Sequence, residues 1–205
     1  MKELIKKLPF ARTLNRKVKE HFSERSKLLR ALPRNAVGAE IGVHLGYFSE
    51  KIIEVSEPVK LYLIDPWKYE SGDDYEQAWY GGASEGENEL DQRYESVKTR
   101  FSGNISNGQV EVIRKSSAEA LIGLEDASLD FVYIDGNHLY DYVKQDLELS
   151  FQKVKAGGLI TGDDYGPGGW WDGGVQIAVD EFCANYPVTT VWIRGSQFIL
   201  RKTAE

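Results

Sequence analysis

The chain has 205 residues, enough for one domain with a sizeable core, and its 41% hydrophobic and 28% charged residues are ordinary for a globular protein. The net charge of −7 argues against nucleic acid as the main partner, and no apolar run resembles a signal peptide or reaches the ~20 residues of a membrane span. A single cysteine, Cys183, excludes an internal disulfide, so we expect a cytoplasmic protein.

The first 35 residues are basic, with 11 Lys and Arg against three Asp and Glu, a balance of +8 that leaves −15 for the remainder. Apolar residues recur among them at near-helical spacing, and Pro33 ends the run. These residues are Leu14, Val18, Phe22, Leu28, Leu29 and Leu32. We expect a helical extension over residues 1–35 and a single domain over residues 36–205. The apolar face of the extension could pack on the domain edge, join subunits of a homo-oligomer, or lie on a membrane surface.

A tight glycine turn follows the first predicted strand, residues 37–43, and precedes a predicted helix. Gly42 and Gly46 suit this turn because it requires positive φ angles and close approach of the backbone. Strand, glycine turn and helix open a nucleotide-binding βαβ unit. The next predicted strand ends at Asp65, 23 residues after Gly42, where an acid can bind the hydroxyls of a ribose.

The side chains of the turn indicate which nucleotide binds. His44 stands where a dinucleotide fingerprint has its second glycine, and a side chain there obstructs a pyrophosphate. Glu40 would repel phosphate and attract an ammonium group. A ligand with a ribose, an amine and no phosphate is S-adenosylmethionine, which we expect to bind here. A generic turn of an α/β protein is the alternative that this stretch alone leaves open.

Regular patterning stops after Trp67. Residues 69–95 carry nine acids, one base (Arg93) and five aromatic residues, and the helical pattern resumes near Leu90. A long insertion in a compact domain is usually functional or disordered. Its aromatic residues favour a lid over the site, with a static surface insertion as the alternative.

Strands and helices alternate through the rest of the chain. Further strands are predicted over residues 110–113, 129–135 and 157–165, and a closing hairpin over residues 189–200. We therefore expect a doubly wound, Rossmann-like α/β fold with a seven-stranded sheet, mostly parallel with an antiparallel last strand, and added N-terminal helices. Ligands of such sheets lie across the carboxyl ends of the strands. Five consecutive strands end there in glycine or polar residues, at Glu40-Gly42, Asp65, Ser117, Asp135 and Asp163-Asp164.

Three of these residues form a predicted carboxylate cluster. Asp135 ends the fourth strand and Asp163 and Asp164 end the fifth, so the three would repel one another unless a cation joined them. Oxygen ligands suit Mg²⁺, Mn²⁺ or Ca²⁺. His138 is the candidate base, or it is a structural residue that caps the next helix. The alternative for the aspartates is that one binds the cofactor, one caps a helix and no metal is involved.

Taken together, these motifs resemble the class I S-adenosylmethionine-dependent methyltransferases. The resemblance covers about residues 36–200 and is closest to the macrocin-type sugar O-methyltransferase (methyltransferase domain 24) family. The motifs are Glu40-x-Gly42-x-x-x-Gly46, Asp65-Pro66-Trp67, Tyr133-Ile134-Asp135-Gly136-Asn137-His138-x-Tyr140, Gly157-Gly158-x-Ile160-x-Gly162-Asp163-Asp164-Tyr165 and Gly174-Val175-x-x-Ala178-Val179-Asp180-Glu181-Phe182.

The resemblance implies roles for individual residues. It places Glu40 and Gly42 near the methionine moiety, Asp65 on the ribose, and Ser117 and Ala118 beside the adenine. The predicted cofactor-binding residues also include Val43, Gly46 and Asp135. It makes Asp135, Asp163 and Asp164 ligands of Mg²⁺ or Mn²⁺. Some metal-dependent relatives have an acid where this chain has Asn137, which adds weight to His138.

The sequence thus predicts methyl transfer from S-adenosylmethionine to a hydroxyl of a small molecule, a sugar, polyol or phenol. His138, Asp135 and Asp164 are the predicted catalytic residues, assisted by a divalent metal. A metal-independent methyltransferase acting on a carboxyl or amine is the first alternative. A module that binds S-adenosylmethionine without chemistry is the second, and a dehydrogenase, which His44 disfavours, is the third.

Overall fold

A seven-stranded β-sheet forms the centre of the protein in the computed structural model, which describes residues 24–203. The strands are β1 (Val37–Ile41), β2 (Lys60–Ile64), β3 (Val110–Ile113), β4 (Leu129–Ile134), β5 (Val154–Gly162), β6 (Val188–Arg194) and β7 (Gln197–Lys202). Their order across the sheet is β3-β2-β1-β4-β5-β7-β6. β1 to β5 pair in parallel, whereas β7 pairs antiparallel with β5 and with β6. The predicted Rossmann-like sheet with an antiparallel last strand is confirmed.

Helices cover both faces of this sheet. They are α1 (residues 24–31), α2 (Tyr47–Ser56), α3 (Glu87–Arg100), α4 (Ser102–Ser106), α5 (Ser117–Ile122), α6 (Tyr140–Lys153) and α7 (Gly174–Asn185). One core cluster joins α1, α2 and α3 to one face, and the other joins α5, α6 and α7 to the opposite face. β4 is buried along nearly its whole length, as expected of a central parallel strand covered on both faces.

The described part of the N-terminal segment packs onto the domain. Leu28, Leu29 and Leu32 are buried in the same cluster as Phe131 and Tyr133 of β4. The helix that carries Leu28 and Leu29 ends at residue 31, shortly before Pro33, which cannot continue the main-chain hydrogen bonds of a helix. The helical spacing at Leu14, Val18 and Phe22, and with it most of the proposed oligomer contact, lies outside the described residues.

Between residues 24 and 203, no helix combines the length and the apolar character needed to cross a membrane.

The acidic insertion folds against the carboxyl edge of the sheet. It contains a single 3-10 turn, Asp73–Tyr75, and α3 begins at Glu87, three residues before the predicted start. Arg93 of α3 is 8% exposed and donates to the main-chain oxygen of Trp79 at 2.7 Å, and its guanidinium lies 3.3 Å from Nδ1 of His44. The insertion is therefore tied to the glycine turn by a buried arginine.

Candidate active site

The carboxyl ends of four parallel strands come together at one edge of the sheet. Ile41 of β1 lies in register with Ile64 of β2 and Ile134 of β4, and Ile134 lies in register with Gly162 of β5. The residues that follow these strand ends therefore lie side by side, and they are Gly42, Asp65, Asp135 and Asp163. β1 is the point where the strand order reverses, which is where open α/β sheets bind ligands.

The turn after β1 has no room for a side chain at its first glycine. Gly42 has a φ of +86°, and a Cβ atom there would lie 1.9 Å from the main-chain oxygen of Asp135. Gly46, at φ +75°, is the N-cap residue that precedes α2. Because Gly42 lies so close to Asp135, the backbone of this turn, which includes Val43, packs against the end of β4. This is the close approach for which the sequence predicted glycine.

Asp65 holds the glycine turn through its carboxylate. Oδ2 accepts hydrogen bonds from the main-chain N–H groups of Val43 and His44, both at 3.0 Å, and Oδ1 accepts one from Trp67 at 2.7 Å. Burial raises the pKa of Asp65, while these three donors act in the opposite direction. The carboxylate predicted to bind the ribose thus also has a structural role, and a ribose hydroxyl would share an oxygen that already accepts a hydrogen bond.

Glu40 is the residue before the last in β1, and its side chain is buried. It is 1% exposed, and burial raises its pKa to about 8. Its Oε2 atom has no hydrogen-bond partner among residues 24–203. Because an unsatisfied buried acid favours a cationic partner, this atom fits the ammonium group of a methionine moiety.

The residues predicted beside the adenine lie at the start of α5. Ser116 caps this helix: its Oγ accepts from the main-chain N–H of Glu119 at 3.3 Å, and the Glu119 carboxylate accepts from the N–H of Ser116 at 3.2 Å. Ser117 and Ala118 are the first two helical residues and are half-buried. They stand at the end of β3, next to Asp65 at the end of β2.

The structure groups Asp135, His138 and Asp164. Each offers one ligand atom, and these atoms all lie within 4.8 Å of one another. Nε2 of His138 is 3.7 Å from Oδ1 of Asp135 and 3.4 Å from Oδ2 of Asp164. Within the described part of the chain, neither ring nitrogen of His138 makes a hydrogen bond. Burial raises the pKa of Asp164 to about 6, despite the opposing effect of His138.

Asp163 points away from this group, which differs from the predicted set of three carboxylate ligands. Its Oδ2 lies 2.9 Å from the Arg25 guanidinium, and its Oδ1 accepts from the Ser196 hydroxyl and, at 2.7 Å, from the N–H of Asp164. Asp164 has a φ of 59°, a left-handed conformation that orients the two carboxylates differently. The structure groups the imidazole of His138, and not the carboxylate of Asp163, with Asp135 and Asp164.

Arg25 of α1 reaches into the site from outside the predicted domain. Its guanidinium binds Asp135, donates to the Tyr133 hydroxyl at 2.8 and 3.0 Å, and lies 4.6 Å from the ring centre of Phe48. Burial would lower the pKa of Arg25, but Tyr133, Asp135 and Asp163 outweigh it and raise that pKa. Arg25 therefore places one positive charge between Asp135 and Asp163. Nothing in the basic N-terminal pattern distinguishes Arg25 from its solvent-facing neighbours.

The chain is similar in sequence to known proteins. The profile of a family described as a methyltransferase domain matches residues 39–165. A relative, the uncharacterized protein y4gI of Sinorhizobium fredii, is 29% identical over 142 residues, which are 67% of this chain and 14% of that protein. The chain thus corresponds to a small part of this much longer relative.

Solved structures share the fold at low sequence identity. A candidate rRNA-methylase from Clostridium thermocellum has a TM-score of 0.61 at 10% identity, covering 91% of this chain and 97% of its own. The N-methyltransferase NodS from Bradyrhizobium japonicum has 0.59 at 12%, covering 93% and 98%. A candidate caffeoyl-CoA O-methyltransferase from Staphylococcus aureus has 0.56 at 18%, covering 82% and 77%. Because these proteins are described as methyltransferases of different kinds, the acceptor of this chain has to be inferred from its own residues.

Proposed function

The chain belongs to the class I S-adenosylmethionine-dependent methyltransferases. We propose that it transfers the methyl group of S-adenosylmethionine to a hydroxyl of a small molecule. The observation that carries the proposal is the group of Asp135, His138 and Asp164 beside the turn at Gly42. A hydroxyl must lose its proton to attack a methyl group at neutral pH, which requires a base or a cation. This group can supply either one.

The glycine turn and its neighbours bind the cofactor. S-adenosylmethionine supplies a methyl group on a sulfonium sulfur. Glu40 binds the ammonium of its methionine moiety, Asp65 takes the ribose while holding the turn, and Ser117 and Ala118 flank the adenine. Asp135 follows β4, the strand that adjoins β1, so the candidate catalytic group lies next to this cofactor-binding turn.

Asp135, His138 and Asp164 would hold a divalent cation. Their ligand atoms are close enough to share one ion, and an imidazole with two carboxylates suits Mn²⁺ at least as well as Mg²⁺. A divalent cation held by these residues would supply Lewis acidity that lowers the pKa of a hydroxyl acceptor. Arg25 fixes Asp135 from the other side and so presents Oδ1 of Asp135 to His138.

Metal-independent transfer is the second candidate, because Arg25 already supplies a cation between Asp135 and Asp163. In that case His138 takes the proton of the acceptor on Nε2, and the adjacent Asp164 stabilises the imidazolium that forms. The methyl group passes to the acceptor oxygen, and the sulfonium becomes the neutral thioether of S-adenosylhomocysteine.

Chelation separates the two candidates. We expect EDTA to abolish transfer of a labelled methyl group to a panel of sugars, cyclic polyols and phenols, and Mn²⁺ or Mg²⁺ to restore it. Electron paramagnetic resonance should show Mn²⁺ bound to the wild type and released from His138→Ala. The exposed Asp172→Asn, in the loop after β5, is the matched control and should keep the bound ion. Full activity in the presence of EDTA would exclude the metal-dependent candidate and leave His138 as the proposed base.

A further inference from the structure

α6 carries a buried acid that the proposed mechanism does not use. Asp146 is 1% exposed, and Val143 and Leu147 on the same helix belong to the core. The Oδ1 atom of Asp146 has no hydrogen-bond partner among the residues that the structure describes. Acidic side chains are rarely buried in this way, because an unpaired carboxyl loses its hydration without compensation. Packing alone therefore does not account for an acid at this position.

Asp146 lies between two loops at the carboxyl edge of the sheet. On one side is the turn after β4, where a Cβ atom at Gly136 would lie 3.9 Å from Oδ2 of Asp146. On the other side is Ser117, the first residue of α5, which forms a side-chain hydrogen bond with the Asp146 carboxyl. Asp146 is thus in direct contact with a residue that we place beside the adenine.

Ser117 is the member of this pair that a ligand can reach. It is half-buried, whereas Asp146 is almost fully enclosed. Ser116, and not Ser117, caps α5 with its side chain, so the Ser117 hydroxyl remains available to Asp146. A ligand at this edge would therefore contact the Ser117 hydroxyl, and Asp146 would act on the ligand only through that hydroxyl.

The hydrogen bond between Ser117 and Asp146 has a direction. Burial raises the pKa of Asp146 to about 7, while the hydrogen bond with Ser117 acts to lower it. A neighbour that lowers the pKa of a carboxyl stabilises its ionised form, so Ser117 donates its proton to Asp146. A hydroxyl has one proton and two lone pairs. With its proton directed at Asp146, the Ser117 oxygen can only accept a hydrogen bond from a ligand.

We infer that Asp146 is a positioning residue that fixes the Ser117 hydroxyl as a hydrogen-bond acceptor for the amino group of the adenine. This inference rests on the proposed function and assigns a specificity element to its cofactor site. The exocyclic amine carries the N–H donors of an adenine that is linked to ribose, whereas the free ring nitrogens are acceptors. A Ser117 oxygen that only accepts therefore pairs with the amine, and it repels the oxygen that hypoxanthine carries at the same position.

The test compares the binding of S-adenosylhomocysteine with that of S-inosylhomocysteine, in which an oxo group replaces the adenine amine. The two ligands share their methionine and ribose parts, so the contributions of Glu40 and Asp65 are the same for both. Calorimetry at about pH 8, where Asp146 is mostly ionised, measures both affinities. We expect the wild type to bind S-adenosylhomocysteine at least about tenfold more tightly, the scale of one lost hydrogen bond at an enclosed site.

Asp146→Ala releases the Ser117 proton, which can then be donated to the oxo group. The preference should fall to within about threefold, because S-inosylhomocysteine binds more tightly than it does to the wild type. Damage to the fold cannot produce such a gain. Ser117→Ala should reduce the preference to the same range through weaker binding of S-adenosylhomocysteine. Asp141→Ala, at an exposed position of α6, is the matched control and should keep the wild-type preference.

The double variant Asp146→Ala/Ser117→Ala should show the same preference as Ser117→Ala, because Asp146 acts through the hydroxyl. An equal loss of both affinities in Asp146→Ala would mark the acid as purely structural and overturn the inference. A wild-type preference in a folded Ser117→Ala would also overturn it, and that variant alters no core residue. Both outcomes leave the proposed methyl transfer standing. If the wild type bound neither ligand, the proposed function itself would fail.

Discussion

Arg25 is the residue that allows three carboxylates to adjoin one another at the sheet edge. Its guanidinium contacts Asp135 and Asp163 and is half enclosed by Tyr133 and Phe48. A positive charge beside a carboxylate lowers the pKa of that carboxylate. Arg25 also contributes in this direction to Asp164, whose pKa is nevertheless raised to about 6 by burial.

Removing this charge should shift the pH dependence of the reaction. In Arg25→Gln we expect the acidic limb of the kcat profile to move upward by roughly one pH unit, because Asp164 loses a nearby positive charge that lowers its pKa. Affinity for S-adenosylhomocysteine should change little. Arg30→Gln, at an exposed position of the same helix, is the control. Identical profiles for the three proteins would show that Arg25 does not tune the site.

Glu40 should release a proton when the cofactor binds. Its pKa of about 8 means that the free protein holds this proton at pH 7, while an ammonium partner favours the ionised form. Calorimetry in two buffers of different ionisation enthalpy should therefore show close to one proton released by the wild type at pH 7. Glu40→Gln should release none and should bind S-adenosylhomocysteine more weakly by about 1.5–3 kcal/mol. The exposed Glu50→Gln should behave as the wild type.

The same carboxyl affects stability with a definite sign. The folded protein keeps the Glu40 proton from its ordinary value of 4.5 up to about 8, whereas the unfolded chain has lost it. The free energy of unfolding therefore falls as the pH rises through this window, whereas below the window Glu40 adds no pH dependence to it. In thermal unfolding of the ligand-free protein, the stability of Glu40→Gln should fall less steeply with rising pH than that of the wild type. An equally steep fall would mean that Glu40 ionises normally in the fold.

At the scale of elements, the glycine turn depends on a side chain from the next strand. Asp65→Ala should lower the free energy of unfolding by about 3 kcal/mol, because it leaves three main-chain N–H groups without their acceptor. Urea denaturation measures this loss. Asp73→Ala, at an exposed position of the insertion, serves as the control and should lose little. Equal losses in both variants would argue against a turn held by Asp65.

The insertion is the element that we predict to move when ligands bind. Residues 69–86 contain little regular structure, and their inner end is tied down through Arg93. We expect hydrogen exchange across these residues to slow when S-adenosylhomocysteine binds, and to slow further with an acceptor. Exchange in α6 should stay the same. Equal exchange in the insertion with and without ligands would identify a static surface segment and not a lid.

At the scale of the whole molecule, periodicity was sufficient to predict the sheet and the edge at which the carboxyl ends of its parallel strands meet. Apolar strands that end in glycine or acidic residues are local patterns, and parallel pairing brings their carboxyl ends together. The orientation of Asp163 and Asp164 is different, because it depends on the left-handed backbone at Asp164. Strand periodicity carries no information about that angle.

Contacts between segments that are distant in the chain also could not be predicted from the sequence. Arg25 and Asp135 are 110 positions apart, and their contact exists only because α1 packs beside β4. The meeting of Tyr75 and Tyr80 with Trp170 depends in the same way on two loops that fold toward each other. The aromatic content of the insertion indicated a role near the site, but not the partners of its rings.

The most direct measurement is the rate of labelled methyl transfer by Asp164→Asn at saturating S-adenosylmethionine, with Asp172→Asn as the control. Asp164 adjoins His138 and is separate from the glycine turn, so the site should lose chemistry and keep its cofactor. We expect the rate to fall at least about 100-fold, the scale of a lost acid–base or metal-binding group, with S-adenosylhomocysteine affinity within about twofold of the wild type. A wild-type rate in Asp164→Asn, or an equal loss of rate and affinity, would contradict a catalytic centre at Asp135, His138 and Asp164.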